Sequence, residues 1–368
     1  MKQGWEIKKL GEVCEILDHL RVPITKKDRQ SGIYPYYGAS GVQDYVNSYL
    51  FDGRYLLVGE DGAKWGTNDK SAYIIEGKSW VNNHAHILKI DKEVNDKLIE
   101  YYLVFKDLNE FITGAIVPKL TQQALRNIPI PVPPISEQEH IVEELDLLSS
   151  VIEKQKLQLK ELDNLAQSIF YDMFGDPITN EKGWEIKKLE DIAESRIGLT
   201  YKPENVSGTG TIVLRSGNIQ NSALSFDDIV RVQCNIKETL FVQENDILMC
   251  SRNGSANLVG KVALIKDIKE PMSYGAFMTI IRSKYQNYLF AFFKSPAFRQ
   301  QLTSAKTATI NQITVKMLND IEVPVPPLAL QQEFAEKIEA IEKQKELIKQ
   351  SFAEAETLFN SRMDYYFN

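Results

Sequence analysis

Two long stretches of the chain carry apolar residues at alternating steps of four and three, the seam by which a helix packs against another helix. In the first, Ile141, Leu145, Leu148, Ile152, Gln155, Leu159, Leu162, Ala166, Ile169 and Met173 keep those steps until Gly175-Asp176-Pro177 stops the run. In the second, Phe334, Ile338, Ile341, Lys345, Ile348, Phe352, Ala355 and Phe359 do the same. Each seam holds one polar residue near its middle, Gln155 or Lys345, suited to fixing register against a partner helix. Ser136, followed three residues on by Glu139, reads as a capping box and places the first helix start there. At 1.5 Å per residue, helices of roughly 39 residues would each span about 58 Å.

The remaining pattern is shorter and mixed. Tyr55 to Val58, Ala85 to Ile90, Thr211 to Leu214, Asp246 to Cys250 and Lys261 to Ile265 read as strands among Gly, Asn and Ser turns, and Tyr101 to Leu108 and Tyr288 to Phe293 as helices. Before each long helix stand the proline-rich runs Ile128 to Pro134 and Ile321 to Pro327. Proline lacks an N–H and forces its predecessor extended, so these runs are edge segments that close a globular unit.

The chain also repeats itself. Gly4-Trp5-Glu6-Ile7-Lys8-Lys9-Leu10 returns unchanged as Gly183 to Leu189, and each proline run is followed by Gln138 or Gln331. Between these anchors Tyr55 to Val58 and Gly62 face Ile247 to Cys250 and Gly254, Ala85 faces Ala276, and Thr121 faces Thr314. The Glu-Lys-Gln-Lys copies, Glu153 to Lys156 and Glu342 to Lys345, lie at an offset four residues shorter than the proline runs. Four residues are about one turn, so the second helix is expected to be a turn shorter with its apolar face in phase. The expected class is α+β: two similar mixed α/β domains, 1–134 and 176–327, separated by a central helix, 135–175, and a distal one, 328–368. The helices are expected to pair as an antiparallel coiled coil, and the halves to relate by a pseudo-twofold.

Motifs for catalysis are scarce. There is no GxxxxGK[ST] loop, no GxGxxG after a strand and no Asn-Pro-Pro-aromatic tetrapeptide of amino-methyltransferases. Glu6-Ile7-Lys8 and Glu185-Ile186-Lys187 match half of a metal-dependent nuclease site but lack the upstream Asp. His84 and His86 share a face of a strand candidate, yet no third ligand suggests itself. Cys14, Cys234 and Cys250 lie far apart, which supports neither a zinc ribbon nor a disulfide framework. With no apolar leader and no run of 18 apolar residues, the expectation is a soluble protein of the reducing cytoplasm.

What stands out instead are loops rich in Gly, Asn, Arg and aromatics: Tyr34 to Gly41, Gly59 to Gly66, Arg215 to Asn218 and Ser251 to Ser255. Arg reads guanine bidentately, Asn reads adenine, and Ser, Lys and backbone N–H groups hold phosphates. Ordinary turn chemistry explains any one such loop, and their matched places in both halves favour a DNA surface. The residues expected near DNA are Tyr36, Tyr37, Ser40, Lys64, Trp65, His84, Arg215, Asn218, Ser251, Arg252 and Asn253. Those expected at a protein partner are Gln138, Ile141, Gln331 and Phe334.

Taken together, the repeated Gly-Trp-Glu-Ile-Lys-Lys-Leu openings, the Pro-Val-Pro-Pro endings with Gln138 and Gln331, and the two heptad helices resemble specificity subunits of Type I restriction-modification systems. Tyr36-Tyr37-Gly38, Leu56 to Gly62 and Asn83-His84-Ala85 also resemble one class of target-recognition domain. The resemblance implies two target-recognition domains, each reading half of a bipartite double-stranded DNA site, on helices that fix their separation. It further implies two adenine-N6 methyltransferase subunits docked on those helices, motor-nuclease subunits in the restricting complex, and no catalysis or metal on this chain. S-adenosylmethionine, ATP and Mg²⁺ would bind the partners. The alternatives are the recognition chain of a combined restriction-methylation enzyme and a coiled-coil scaffold that binds no DNA.

A net charge of −7 argues at first against so acidic a partner. By segment, however, residues 1–134 are neutral, 135–175 carry −6, 176–327 carry +2 and 328–368 carry −3. The acidity belongs to the helices, and near-neutral reading heads imply weak grip on phosphates unless partners add to it.

Overall fold

A computed structural model describes residues 4–114, 116–304 and 312–368. The chain forms two compact units, Met1–Leu157 with Ile348–Asn368, and Gln158–Leu347, so each unit combines one globular part with pieces of both long helices. Among the described residues no helix is long and apolar enough to cross a membrane.

The first unit is built on a six-stranded sheet, in the order Cys14–Ile16, Ala85–Ile90, Phe51–Gly59, Ala72–Val81, Ser31–Gly38 and Gly41–Val46. Only the contact of Ser31–Gly38 with Ala72–Val81 is parallel. Side chains alternate across a strand, so neighbours in Phe51–Gly59 serve opposite faces. Leu56 and Val58 join Leu88, Ile99 and Leu103 in one core, whereas Leu57 joins Tyr73 and Ile87 in another. Helix Asp96–Phe105, capped by Asn95 accepting the Lys97 N–H at 3.0 Å, covers the first face; it begins five residues before the expected Tyr101. The second unit has two four-stranded sheets, one of Glu194–Ile197, Met278–Arg282, Ile247–Cys250 and Val262–Leu264, the other centred on Thr211–Leu214.

The repeated segments are each other's partners. Glu6–Lys9 pairs antiparallel with Pro129–Val132, Ile7 opposite Pro131, and Glu185–Lys188 pairs with Glu322–Val325, Ile186 opposite Pro324. The proline strand tolerates this place because the sheet has only two strands and asks few N–H donors of it.

The long helices occupy Ile135–Phe174 and Leu328–Phe367, 40 residues each. The expected shortening of the second is not seen: the turn lost before Glu342 is regained beyond it. Every seam position of the heptad pattern is buried or half-buried. Within the first unit Arg362 Nε meets Glu144 Oε1 at 2.6 Å and Gln155 Nε2 donates to Ser351 Oγ at 2.7 Å, so the helices run antiparallel. Within the second, Lys345 Nζ meets Asp163 Oδ1 at 2.9 Å, and Phe334 packs on Phe174 with ring centroids 5.0 Å apart.

The helix starts correct two expectations. The first helix begins at Ile135, with the Pro134 carbonyl accepting from Glu137 and Gln138 N–H at 2.9 and 3.0 Å, so Ser136 lies inside the first turn and is not the cap. Gln138 and Gln331, expected at a partner, turn back on their own chain: their Nε2 groups donate to the Pro133 and Pro326 carbonyls, both at 2.8 Å. Gln138 Oε1 also accepts the Asn95 N–H at 2.7 Å. A Pro-Pro turn offers carbonyls without N–H groups, and a buried carbonyl needs a donor. Ile141 and Phe334 are wholly buried, packed on Leu98 and Met363 in one unit and on Phe170 and Phe174 in the other.

Candidate nucleic-acid interface

In the first unit the hairpin turn after Gly38, the turn after Gly59 and the turn before Ala85 meet at a cleft of about 370 Å³, walled by Ser40, Gln43, Asp61, Gly62 and His84 among others. The Asp61 carboxylate holds His84 Nδ1, which directs the imidazole. Behind the wall Asn82 is 2% exposed. Its Nδ2 donates to Gln43 Oε1 at 3.1 Å, its Oδ1 accepts the His84 N–H at 2.8 Å, and its own N–H donates to the Tyr37 carbonyl at 3.0 Å. One buried amide thus ties both sides of the cleft together.

Beneath lies an ion cluster. His86 Nδ1 is 2.6 Å from Asp18 Oδ2 and 3.7 Å from Glu60 Oε2; its Nε2 is 2.8 Å from the Leu120 carbonyl, which only accepts, so Nε2 carries a proton. Arg21 pairs with Glu60, and Lys119 Nζ reaches Glu60 Oε1 at 2.6 Å. Burial pushes both carboxyls up, but hydrogen bonds from His86 to Asp18, and from Lys119 and Arg21 to Glu60, outweigh it and hold both below the usual range. Asp18, Glu60 and His86 bring ligand-type atoms within 4.8 Å of one another, but a metal there would have to displace Arg21 and Lys119.

The second unit has a cleft of about 700 Å³ whose walls include Tyr201, Arg215, Ser216, Asp228 and Phe277. Arg215 Nη2 pairs with Asp228 Oδ2 at 2.7 Å, and Asn253 Nδ2 donates to Ser216 Oγ at 3.1 Å, joining two of the loops singled out from the sequence. The Arg252 guanidinium lies 5.2 Å from the centroid of the Phe277 ring, which is 57% exposed.

Backbone hydrogen bonds show that the two clefts share one frame. The Glu60 N–H donates to the His84 carbonyl and the Leu120 N–H to the Glu60 carbonyl; the Ser251 N–H donates to the Phe277 carbonyl and the Ile313 N–H to the Ser251 carbonyl. Asp61 bridges Lys119 as Arg252 bridges Gln312. Hence Asp61 and His84 occupy the places of Arg252 and Phe277, and Glu60 and His86 those of Ser251 and Thr279. This corrects the sequence register: Ala85 corresponds to Met278, not Ala276, and Gly62 to Asn253, not Gly254.

Of the residues expected near DNA, Ser40 and His84 share the first cleft, and Arg215, Arg252 and Asn253 gather at the second. Lys64 is exposed but does not line the cleft, and Tyr37 is half-buried against Tyr73. Four expectations are corrected because the side chains build the loops. Tyr36 is 1% exposed, its hydroxyl donating to the Ile24 carbonyl at 3.3 Å under the Arg29 guanidinium. Trp65 is buried, its Nε1 donating to the Gly59 carbonyl at 3.0 Å. Asn218 closes its own loop, accepting the Arg215 N–H at 2.8 Å and donating to the Ser225 and Asp228 carbonyls. Ser251 Oγ donates to Thr279 Oγ1 at 2.6 Å in the interior. His86 is interior, and His84 is an exposed residue of the turn before the strand Ala85–Ile90, so the two do not form one strand face. The sequence reading missed Gln43, Asp61, Asn82, Tyr201, Asp228 and Phe277; the repeat contained the signal for Asp61 and Phe277, but only in the register that the backbone reveals.

Residues 2–162 and 181–357 match a family model described as the Type I restriction modification DNA specificity domain, one match in each half. The Type I restriction enzyme MjaVIII specificity subunit of Methanocaldococcus jannaschii is 20% identical over 367 residues, covering 92% of this chain and 86% of that one. A putative Type I restriction enzyme specificity subunit of Haemophilus influenzae, S.HindORF215P, is 38% identical over 146 residues, 40% of this chain and only 38% of the relative. Among solved structures, the Type I restriction-modification S subunit from M. genitalium aligns with a TM-score of 0.61 at 13% identity, covering 99% of this chain and 97% of that one, a likeness of fold.

Proposed function

Since the chain belongs to the Type I restriction-modification DNA specificity family, we propose that it is the sequence-reading subunit of such a complex, each unit recognising one half of a bipartite double-stranded DNA site. The observation that supports this reading is the shared frame: at one pair of backbone positions each unit places polar or aromatic side chains at its cleft, Asp61 and His84 in the first, and in the second Phe277 in the wall with the Arg252 guanidinium over its ring. In this reading the clefts discriminate between sequences and break no bond. Methylation and cleavage belong to partners, two adenine-N6 methyltransferase subunits and motor-nuclease subunits, which bind S-adenosylmethionine, ATP and Mg²⁺. Docking on the long helices is supported by Leu147, Leu157, Leu165, Leu347 and Leu358, which stay exposed on them.

The test is binding selection from randomised duplexes by the chain in complex with methyltransferase subunits. The expected result is enrichment of two short specified segments separated by an unspecified spacer; enrichment of no sequence overturns the reading. Removing four residues, one turn, between Leu148 and Lys156 is expected to shorten the spacer while the specified bases stay the same. An unchanged spacer in the methylation pattern would refute the role of the helices as a ruler.

A further inference from the structure

We propose that Gln43 and His84 together read the major-groove edge of one purine in the half-site of the first unit, with Asn82 and Asp61 as their positioning residues; this rests on the DNA-reading function above. Gln43 Oε1 accepts from Asn82 Nδ2, so the amide offers the cleft its NH₂ group, a donor. His84 Nδ1 is held by Asp61, so the ring offers Nε2. Neither Gln43 Nε2 nor His84 Nε2 has a hydrogen-bond partner among the described residues. Only a purine presents two hydrogen-bonding groups side by side in the major groove, N7 and the substituent at position 6. N7 accepts from the Gln43 amide. Nε2 accepts from the adenine amino group when the ring is neutral, or donates to guanine O6 when it is charged.

The cleft selects a base edge over the backbone. Phosphates are held by Lys, Arg and N–H groups, and no Lys or Arg lines this cleft among the described residues, while the Asp61 carboxylate repels an anion. Asn82, buried and bonded to both readers, fixes their spacing before DNA arrives, which spares the ordering cost at binding.

The experiment repeats the binding selection with Gln43→Ala and His84→Ala in the methyltransferase complex. Both variants are expected to relax the same single position, confined to one purine in the unsubstituted protein, and to leave every other position as it was. At that position a 7-deazapurine, which lacks only the N7 acceptor, is expected to weaken the unsubstituted complex roughly tenfold and Gln43→Ala hardly at all. Asn82→Asp cannot donate to Gln43, so the amide turns its oxygen outward and the preference for N7 is lost although Gln43 is present. A purely structural role for Asn82 would instead lower stability with the selected sequence intact. Relaxation at different positions, an unchanged selection, or a uniform loss over all sequences overturns the proposal. If the unsubstituted complex selects no sequence, the DNA reading itself falls; if it selects a bipartite site that the variants leave unaltered, only the purine assignment falls.

Discussion

The two units meet the same structural problem with opposite chemistry. At the inner pair of the shared frame the first unit places Glu60 and His86 within a five-residue ion cluster, and the second places Ser251 and Thr279, joined by one hydroxyl contact of 2.6 Å. At the outer pair the first has a carboxylate holding an imidazole, and the second a guanidinium over an exposed phenyl ring. The frame is therefore indifferent to the charge it carries. A backbone held by its own hydrogen bonds lets the outer pair vary, provided the inner pair satisfies whatever it buries.

The strongest way to break this comparison is at the inner pair. Glu60→Gln leaves Arg21 and Lys119 without their shared carboxylate and is expected to destabilise the first unit by about 3 kcal/mol. Ser251→Ala leaves one hydroxyl unpaired and is expected to cost about 1 kcal/mol in the second. The cysteines report on the units separately: Cys14 is buried in the first, where burial pushes its thiol up to about 12, and Cys250 is buried in the second, its thiol also raised by burial. Thiol labelling in mild denaturant should show Glu60→Gln exposing Cys14 while Cys250 stays protected. Equal labelling of both would mean that the cluster does not stabilise its unit selectively.

The outer pair comes next. Arg252→Ala is expected to leave stability unchanged within about 0.5 kcal/mol and to lower discrimination at one position of the second unit's half-site by about 1 to 3 kcal/mol. A uniform loss of affinity across sequences would assign Arg252 to a phosphate. The mildest probe is acid. Asp18 and Glu60 are depressed on folding, so their contribution is fully present above the ordinary carboxylate range near pH 4 and is lost as the pH falls through their lower folded values. Cys14 labelling should therefore rise on acidification before Cys250 labelling does, and the reverse order would refute the account.

The extent to which this was legible in the sequence follows from how local each signal is. The heptad seams and the proline strands are periodic or sterically forced, so Ile141 to Met173 and Pro129 to Val132 could be read directly. The residues of the proposed site could not. Gln43 stands on the strand Gly41–Val46, Asp61 follows Phe51–Gly59, and Asn82 and His84 share the turn before Ala85–Ile90, so the three places converge only once the sheet has assembled. Tyr36, Trp65, Asn218 and Ser251 misled because the residue types that bind DNA are the ones that tie loops together. Aligning the halves by sequence alone also failed by one or two residues, since Gly62 and Gly254 match in type but not in backbone place.

The pairing of each opening heptapeptide with its closing proline strand has a consequence for how this architecture can change. Chain entering at Lys9 leaves again at Pro129, and chain entering at Lys188 leaves at Glu322, in contact across a clasp of four residues. What hangs between is a closed loop, and doubling the length of such a loop adds only about 0.6 kcal/mol of closure entropy. The segment between can therefore change in length while the clasp and the helix that follows it keep their geometry, so the clasp works as a fixed mount for a variable insert.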